Sequence, residues 1–128
     1  MRETNAITGE IVDAAYGIHR RLGPGLLESV YEALLARILT ERGLAVERQK
    51  PVPFEFEGLR LDEGFRVDLL VEERVVVELK SAERTNPVHA KQVLTYLRLM
   101  NLPVGLLINF GAPTLKEGLK RVINGYEP

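Results

Sequence analysis

Apolar residues recur every three or four positions at the start of the chain: Ile7, Ile11, Ala15, Ile18 and Leu22. That period marks the buried stripe of an amphipathic helix. The helix is predicted to begin at Asn5 or Thr8 and to end at Leu22. Gly23-Pro24-Gly25 stops it, because proline drives the residue before it out of the helical conformation. A second stripe, Leu27, Val30, Leu34 and Ile38, with Tyr31 and Leu35 beside it, predicts a helix from close to Leu26 to Gly43. A glycine there favours termination.

The period then falls to two. Ala45 to Phe56 reads as a strand whose Pro51 and Pro53 suit a sheet edge or a bulge, since proline has no N–H to give a ladder. Glu57-Gly58 turns the chain, Leu59 to Val71 returns with a bend at Gly64, and Arg74 to Ser81 forms a third strand. Asn86 as cap and Pro87 in the first turn open a helix that runs to Asn101. Val104 to Phe110 is a short, nearly all-apolar strand of the buried type, and Thr114 to Ile123 reads as a closing helix. The predicted order is ααβββαβα. It describes a mixed α+β domain over residues 1–128, in which a three-stranded meander is joined by a helical crossover to a fourth strand.

Within this frame the stretch Phe65 to Lys80 stands out, because each of its two apolar strands carries a carboxylate. Alternation puts Arg66, Asp68 and Leu70 on one face of the first strand, with Phe65, Val67, Leu69 and Val71 on the other. On the second, Val76, Glu78 and Lys80 share a face, with Val75, Val77 and Leu79 behind. A turn at Glu72, Glu73 and Arg74 sets Val71 opposite Val75 and Asp68 opposite Glu78. Two carboxylates then face each other roughly 5 Å apart at Cβ. At an effective dielectric of about 20 their repulsion is on the order of 3 kcal/mol. Such a pair calls for a cation. Lys80 supplies one charge on the same face, and a divalent metal such as Mg2+ or Mn2+, which prefers oxygen ligands, would supply more. The bland alternative is a surface ion pair in which Lys80 bridges both acids.

Three further features carry candidate chemistry. Glu28 lies in the first turn of its helix, where the dipole favours a carboxylate; on residue type alone it is a capping group, and Tyr31 and Glu32 follow one turn on. On the crossover helix, Ala90, Val93, Leu94, Leu97 and Met100 form an apolar arc, and Lys91, Thr95 and Arg98 a solvent arc. His89, Gln92 and Tyr96 fall outside both, as residues that touch something specific or that satisfy loop carbonyls. Asn109, after the last strand, reads as a turn residue.

Composition narrows the choices. The absence of cysteine excludes disulfides, thiolate zinc sites and cysteine nucleophiles, and two histidines are too few for a histidine metal site. No apolar run approaches the roughly 20 residues of a membrane span, and the N-terminus has no signal-peptide core. A cytoplasmic location is expected. The formal net charge of −1 gives no global positive field to draw in nucleic acid, so a phosphate-binding surface has to be local.

The order helix-Glu28, strand-Asp68, Glu78-Leu79-Lys80, then a helix with Gln92 and Tyr96, resembles the PD-(D/E)xK nuclease superfamily. The Gln92-to-Tyr96 helix is similar to that of the RecB-type branches. Gly25-Leu26-Leu27-Glu28-Ser29-Val30-Tyr31-Glu32 matches the signature of the small prokaryotic GxxExxY proteins. Pro87-Val88-His89 to Gln92 and Leu107-Ile108-Asn109-Phe110 are similar to that family too. The residue before Asp68 is Val67, where the superfamily motif has proline.

The resemblance implies a four-stranded mixed sheet flanked by helices, with a site at one end of the hairpin. It implies Asp68, Glu78 and Glu28 as ligands of Mg2+ or Mn2+, Lys80 as the group acting on water or phosphate, and Gln92 as a positioning group. The implied activity is metal-assisted hydrolysis of phosphodiesters. Nucleic acid, DNA ahead of RNA, is the implied partner, and a homodimer is an open arrangement. Tyr31, Arg66, Arg84, His89 and Tyr96 are candidate substrate contacts, with Arg48, Lys50 and Lys91 as further basic groups. Two alternatives stand beside this: a non-catalytic nuclease-fold module that binds nucleic acid or a protein partner, and a scaffold whose carboxylates only stabilise the fold.

Overall fold

A computed structural model of the chain describes residues 3–125. Its elements are α1 (Thr4–Leu22), α2 (Glu28–Glu41), β1 (Val46–Phe56), β2 (Leu59–Val71), β3 (Val75–Lys80), α3 (Pro87–Met100), β4 (Val104–Asn109), α4 (Leu115–Gly118) and β5 (Leu119–Ile123). The strands form one mixed sheet in the order β1-β2-β3-β4-β5. β1, β2 and β3 run as an antiparallel meander, α3 crosses over to bring β4 parallel to β3, and β5 returns antiparallel along β4.

The sheet has five strands rather than the predicted four. Leu115, Gly118, Leu119 and Val122 keep helical spacing, so Thr114 to Ile123 reads as a helix from sequence. The helix lasts only to Gly118. There the backbone passes so close to the Asn109 carbonyl that a Cβ would collide with it. Past that point the open edge of β4 offers a full set of ladder partners, and Leu119–Ile123 takes them.

Each face of the sheet has its own apolar cluster. On one, Ile7, Ile11 and Ala15 of α1 and Tyr31, Leu35 and Leu39 of α2 pack on Leu69, Val71, Val75, Val77, Leu79, Leu106 and Ile108. On the other, Val93 and Leu97 of α3 pack on Val67, Leu70, Val76, Leu107 and Val122. β3 alternates between the two clusters as predicted. β2 does not: Phe65 and Val67 join the α3 side, whereas Leu69 and Val71 join the α1–α2 side. The predicted single face for these four residues is therefore broken at Asp68, and the break opens the sheet where the acidic side chains lie. β1 is an edge strand, which accommodates Pro51 and Pro53.

Candidate active site

The β2–β3 ladder runs through Val71↔Val75, Leu70↔Val76 and Leu69↔Val77, a register that brings Asp68 opposite Glu78. At that step side chains take over from backbone acceptors. The Asp68 N–H donates to Glu78 Oε2 at 3.2 Å, and the Leu79 N–H donates to Asp68 Oδ2 at 2.8 Å. Each carboxylate reaches across to the opposite strand and fills the gap between the two.

Glu78 is only 5% exposed. Burial pushes its carboxyl up from the ordinary range to about 9, and the hydrogen bond and negative charge of Asp68 push in the same direction. Lys80 opposes this as the smallest of the contributions. Buried as it is, Glu78 does not form the surface ion pair in which Lys80 bridges both acids. Two adjacent carboxylates in an apolar wall, one of them with its pKa raised by burial, are a donor set that suits a hard divalent ion. Among the described residues no group of three carboxylate or imidazole side chains gathers into a metal cage.

Tyr96 approaches from α3. Its ring stacks on Phe65 with centroids 4.2 Å apart, and burial first, then the charges of Glu78 and Asp68, raises its phenol pKa. Gln92, one turn earlier on α3, is exposed, as are Arg84 and Lys91, while His89 is half-buried. Lys80 is half-buried at the end of β3.

Beyond Lys80 lies a cleft of about 790 Å3, bounded by Gly25, Leu26 and Glu28 on one side and by Ser81, Glu83 and Gly111 on the other. Glu28 is the first residue of α2 and is exposed on this wall; the helix receives no side-chain cap from the residue before it. The Ser81 hydroxyl ties the two walls together by donating to the Leu26 carbonyl at 2.5 Å.

Two residues hold the cleft in shape. Tyr31 is wholly buried, stacked on Phe110 with centroids 4.3 Å apart. Its hydroxyl donates to the Gly23 carbonyl at 2.6 Å and accepts from the Leu26 N–H at 3.2 Å. It clamps the loop between α1 and α2 and presents no surface to a substrate, which corrects its reading as a substrate contact. Asn109 is not a turn residue but the last residue of β4, and it is 2% exposed. Its Oδ1 accepts from the N–H groups of Ala82 and Gly111, and its Nδ2 donates to the Ala82 carbonyl, each at 3.0 Å. With the Phe110 N–H on the Lys80 carbonyl at 2.8 Å, these bonds fix the chain on either side of Ser81. Gly111 has no side chain because Ala82 fills the space where a Cβ would go.

The basic residues of the hairpin face acids of their own. Arg48 pairs with Glu32 at 3.0 Å, Lys50 with Glu47 at 2.9 Å and Arg66 with Glu63 at 2.6 Å. Glu32, from α2, is 7% exposed. Its other oxygen accepts from the Gln49 amide at 2.6 Å, and the same amide nitrogen donates to Asp68 Oδ1 at 3.1 Å. Gln49 carries no signal in the sequence. Its role depends on a backbone φ of 49° inside a strand, which no periodicity reports.

A mixed sheet with a helical crossover, parted at an opposed Asp68–Glu78 pair with Lys80 at its end, defines a nuclease-type α+β fold. A family model described as the PD-(D/E)XK nuclease superfamily matches residues 5–122. The chain belongs to that superfamily. Among solved structures, a crystal structure of SSO0001 is similar with a TM-score of 0.54 at 16% identity, covering 77% of this chain and 50% of that one. At that identity the likeness shows the fold alone, and the chain spans about half the length of that protein. A search of curated proteins gives no significant match. Among the described residues no helix is long and apolar enough to cross a membrane.

Proposed function

We propose that this chain is a metal-dependent nuclease of the GxxExxY branch, hydrolysing phosphodiester bonds in nucleic acid, DNA ahead of RNA. The observation that carries the reading is the reciprocal seating of Asp68 and Glu78 where β2 and β3 part. Asp68 and Glu78 would hold Mg2+ or Mn2+; Glu28 does not gather with them in this structure and would reach the ion through water from the cleft wall. When bound there, such an ion would supply Lewis-acid polarisation of a phosphoryl oxygen and lower the pKa of a water.

Lys80 follows Glu78 by two residues and is half-buried, and the next residue, Ser81, lines the cleft. Its ammonium stabilises negative charge on the attacking oxygen or the phosphate as that charge develops. Tyr96, stacked on Phe65, lies near enough to both acids for their charges to raise its phenol pKa. Gln92 and His89, on the same helix as Tyr96, orient the substrate, and Arg84 and Lys91 offer exposed positive charge for its phosphates. Arg48, Lys50 and Arg66 already meet carboxylates, so they contribute little to that grip.

That same neutralisation favours a second reading, a nuclease-fold module that binds nucleic acid or a protein partner without turnover. One experiment separates the two. Wild-type and Lys80→Ala protein are incubated with Mg2+ or Mn2+ over single- and double-stranded DNA and RNA. Cleavage by the wild type that is lost in Lys80→Ala supports the enzyme. Metal and nucleic-acid binding without cleavage on any substrate assigns the module.

A further inference from the structure

We infer that Gln49 is a positioning residue of the carboxylate pair: anchored on Glu32, its side-chain amide sets the Asp68 carboxylate for a divalent cation. This rests on the metal-site reading above.

Consecutive residues of a regular strand point to opposite faces. Arg48 and Gln49 are neighbours in β1, yet both reach Glu32, with the Arg48 Nε on Oε2 at 3.0 Å and the Gln49 Nε2 on Oε1 at 2.6 Å. The φ of 49° at Gln49 makes this possible. That is the left-handed region, which a non-glycine residue adopts at a cost. Departures of this kind within strands re-aim side chains, and they concentrate beside functional sites. Here the re-aimed amide lands on Asp68 Oδ1 at 3.1 Å.

The consequence is chemical as well as geometric. Asp68 is held at both oxygens, by the Gln49 amide and by the Leu79 N–H. Both donors are neutral. Each carboxylate oxygen keeps a lone pair for a metal. Arg48, the nearest guanidinium on the same strand, is drawn off by the buried Glu32 instead. Glu32 thus anchors the amide that aims Asp68 on one oxygen and holds the Arg48 guanidinium on the other. A purely structural account would have Gln49 tie β1 to α2, its contact with Asp68 being incidental.

Glycine separates these accounts, because it adopts the left-handed conformation without strain but removes the amide. The test titrates Mn2+ by calorimetry into the full metal-free chain, as wild type, Gln49→Gly and Gln49→Ala, with thermal melts of each metal-free protein. Positioning by Gln49 lowers Mn2+ affinity about tenfold or more in both variants, while Gln49→Gly melts no lower than Gln49→Ala. A second readout needs no metal: in the nitrogen–proton NMR spectrum, the Gln49 side-chain amide signals shift in Asp68→Asn and in Glu32→Gln. Mn2+ affinity equal to wild type in both Gln49 variants overturns the inference and leaves the metal-site reading standing. Amide signals that ignore Asp68→Asn overturn it as well. A wild-type chain that takes up no Mn2+ overturns the metal-site reading and this inference with it.

Discussion

Asp68 and Glu78 each supply the acceptor that the opposite strand has lost: Glu78 Oε2 serves the Asp68 N–H, and Asp68 Oδ2 serves the Leu79 N–H. The acids are therefore part of the sheet as well as candidates for chemistry. Truncating either to alanine would orphan a backbone donor and confound stability with function. Carboxamide variants keep an acceptor oxygen and are the cleaner probes.

Glu78→Gln should flatten the pH dependence of stability in the metal-free protein. Burial and Asp68 raise the Glu78 carboxyl from 4.5 to about 9. The folded chain then holds a proton that the unfolded chain releases. That contribution is fully present below the unfolded value of 4.5 and is lost as pH rises through about 9. The steepest slope from a single group is about 1.4 kcal/mol per pH unit. Urea denaturation across this range checks it. A slope that survives Glu78→Gln belongs to some other group.

Lys80→Ala should lower kcat roughly a hundredfold or more while leaving KM within a few-fold. A cation acting on charge that develops only in the transition state contributes little to ground-state binding. Steady-state kinetics on whichever nucleic acid is cleaved would show this. A large rise in KM with kcat intact would make Lys80 a binding residue.

For Glu28, exposed and outside any capping bond, the expectation runs the other way on stability. Glu28→Gln should change the unfolding free energy by no more than about 0.5 kcal/mol, yet weaken Mn2+ uptake. Unchanged metal titration would remove Glu28 from the ligand set.

Asn109→Ala should destabilise the protein by about 1–3 kcal/mol, since it strands half-buried backbone groups of Ala82 and Gly111. Chemical denaturation measures this. The same change loosens the chain after Lys80, so residual activity should fall further than the loss of folded protein explains.

The sequence by itself determined the local elements and the pairing of the acids. Helices α1, α2 and α3 follow from apolar stripes and their stop signals. β2 spans Leu59–Val71 as read. The Val71↔Val75 register, and with it the opposition of Asp68 and Glu78, follows from one short turn between two alternating runs. Each of these depends on contacts within a few residues, where a period or a turn leaves a mark. The tertiary structure decided the rest. β5 exists because β4 has an open edge and Gly118 ends a helix against Asn109. The switch of face at Asp68, the clamping roles of Tyr31 and Asn109, and the reach of Gln49 from Glu32 to Asp68 each depend on at least one partner 8 to 27 residues away in the chain. Local periodicity carries no term for such partners, because folding alone brings them within hydrogen-bonding distance.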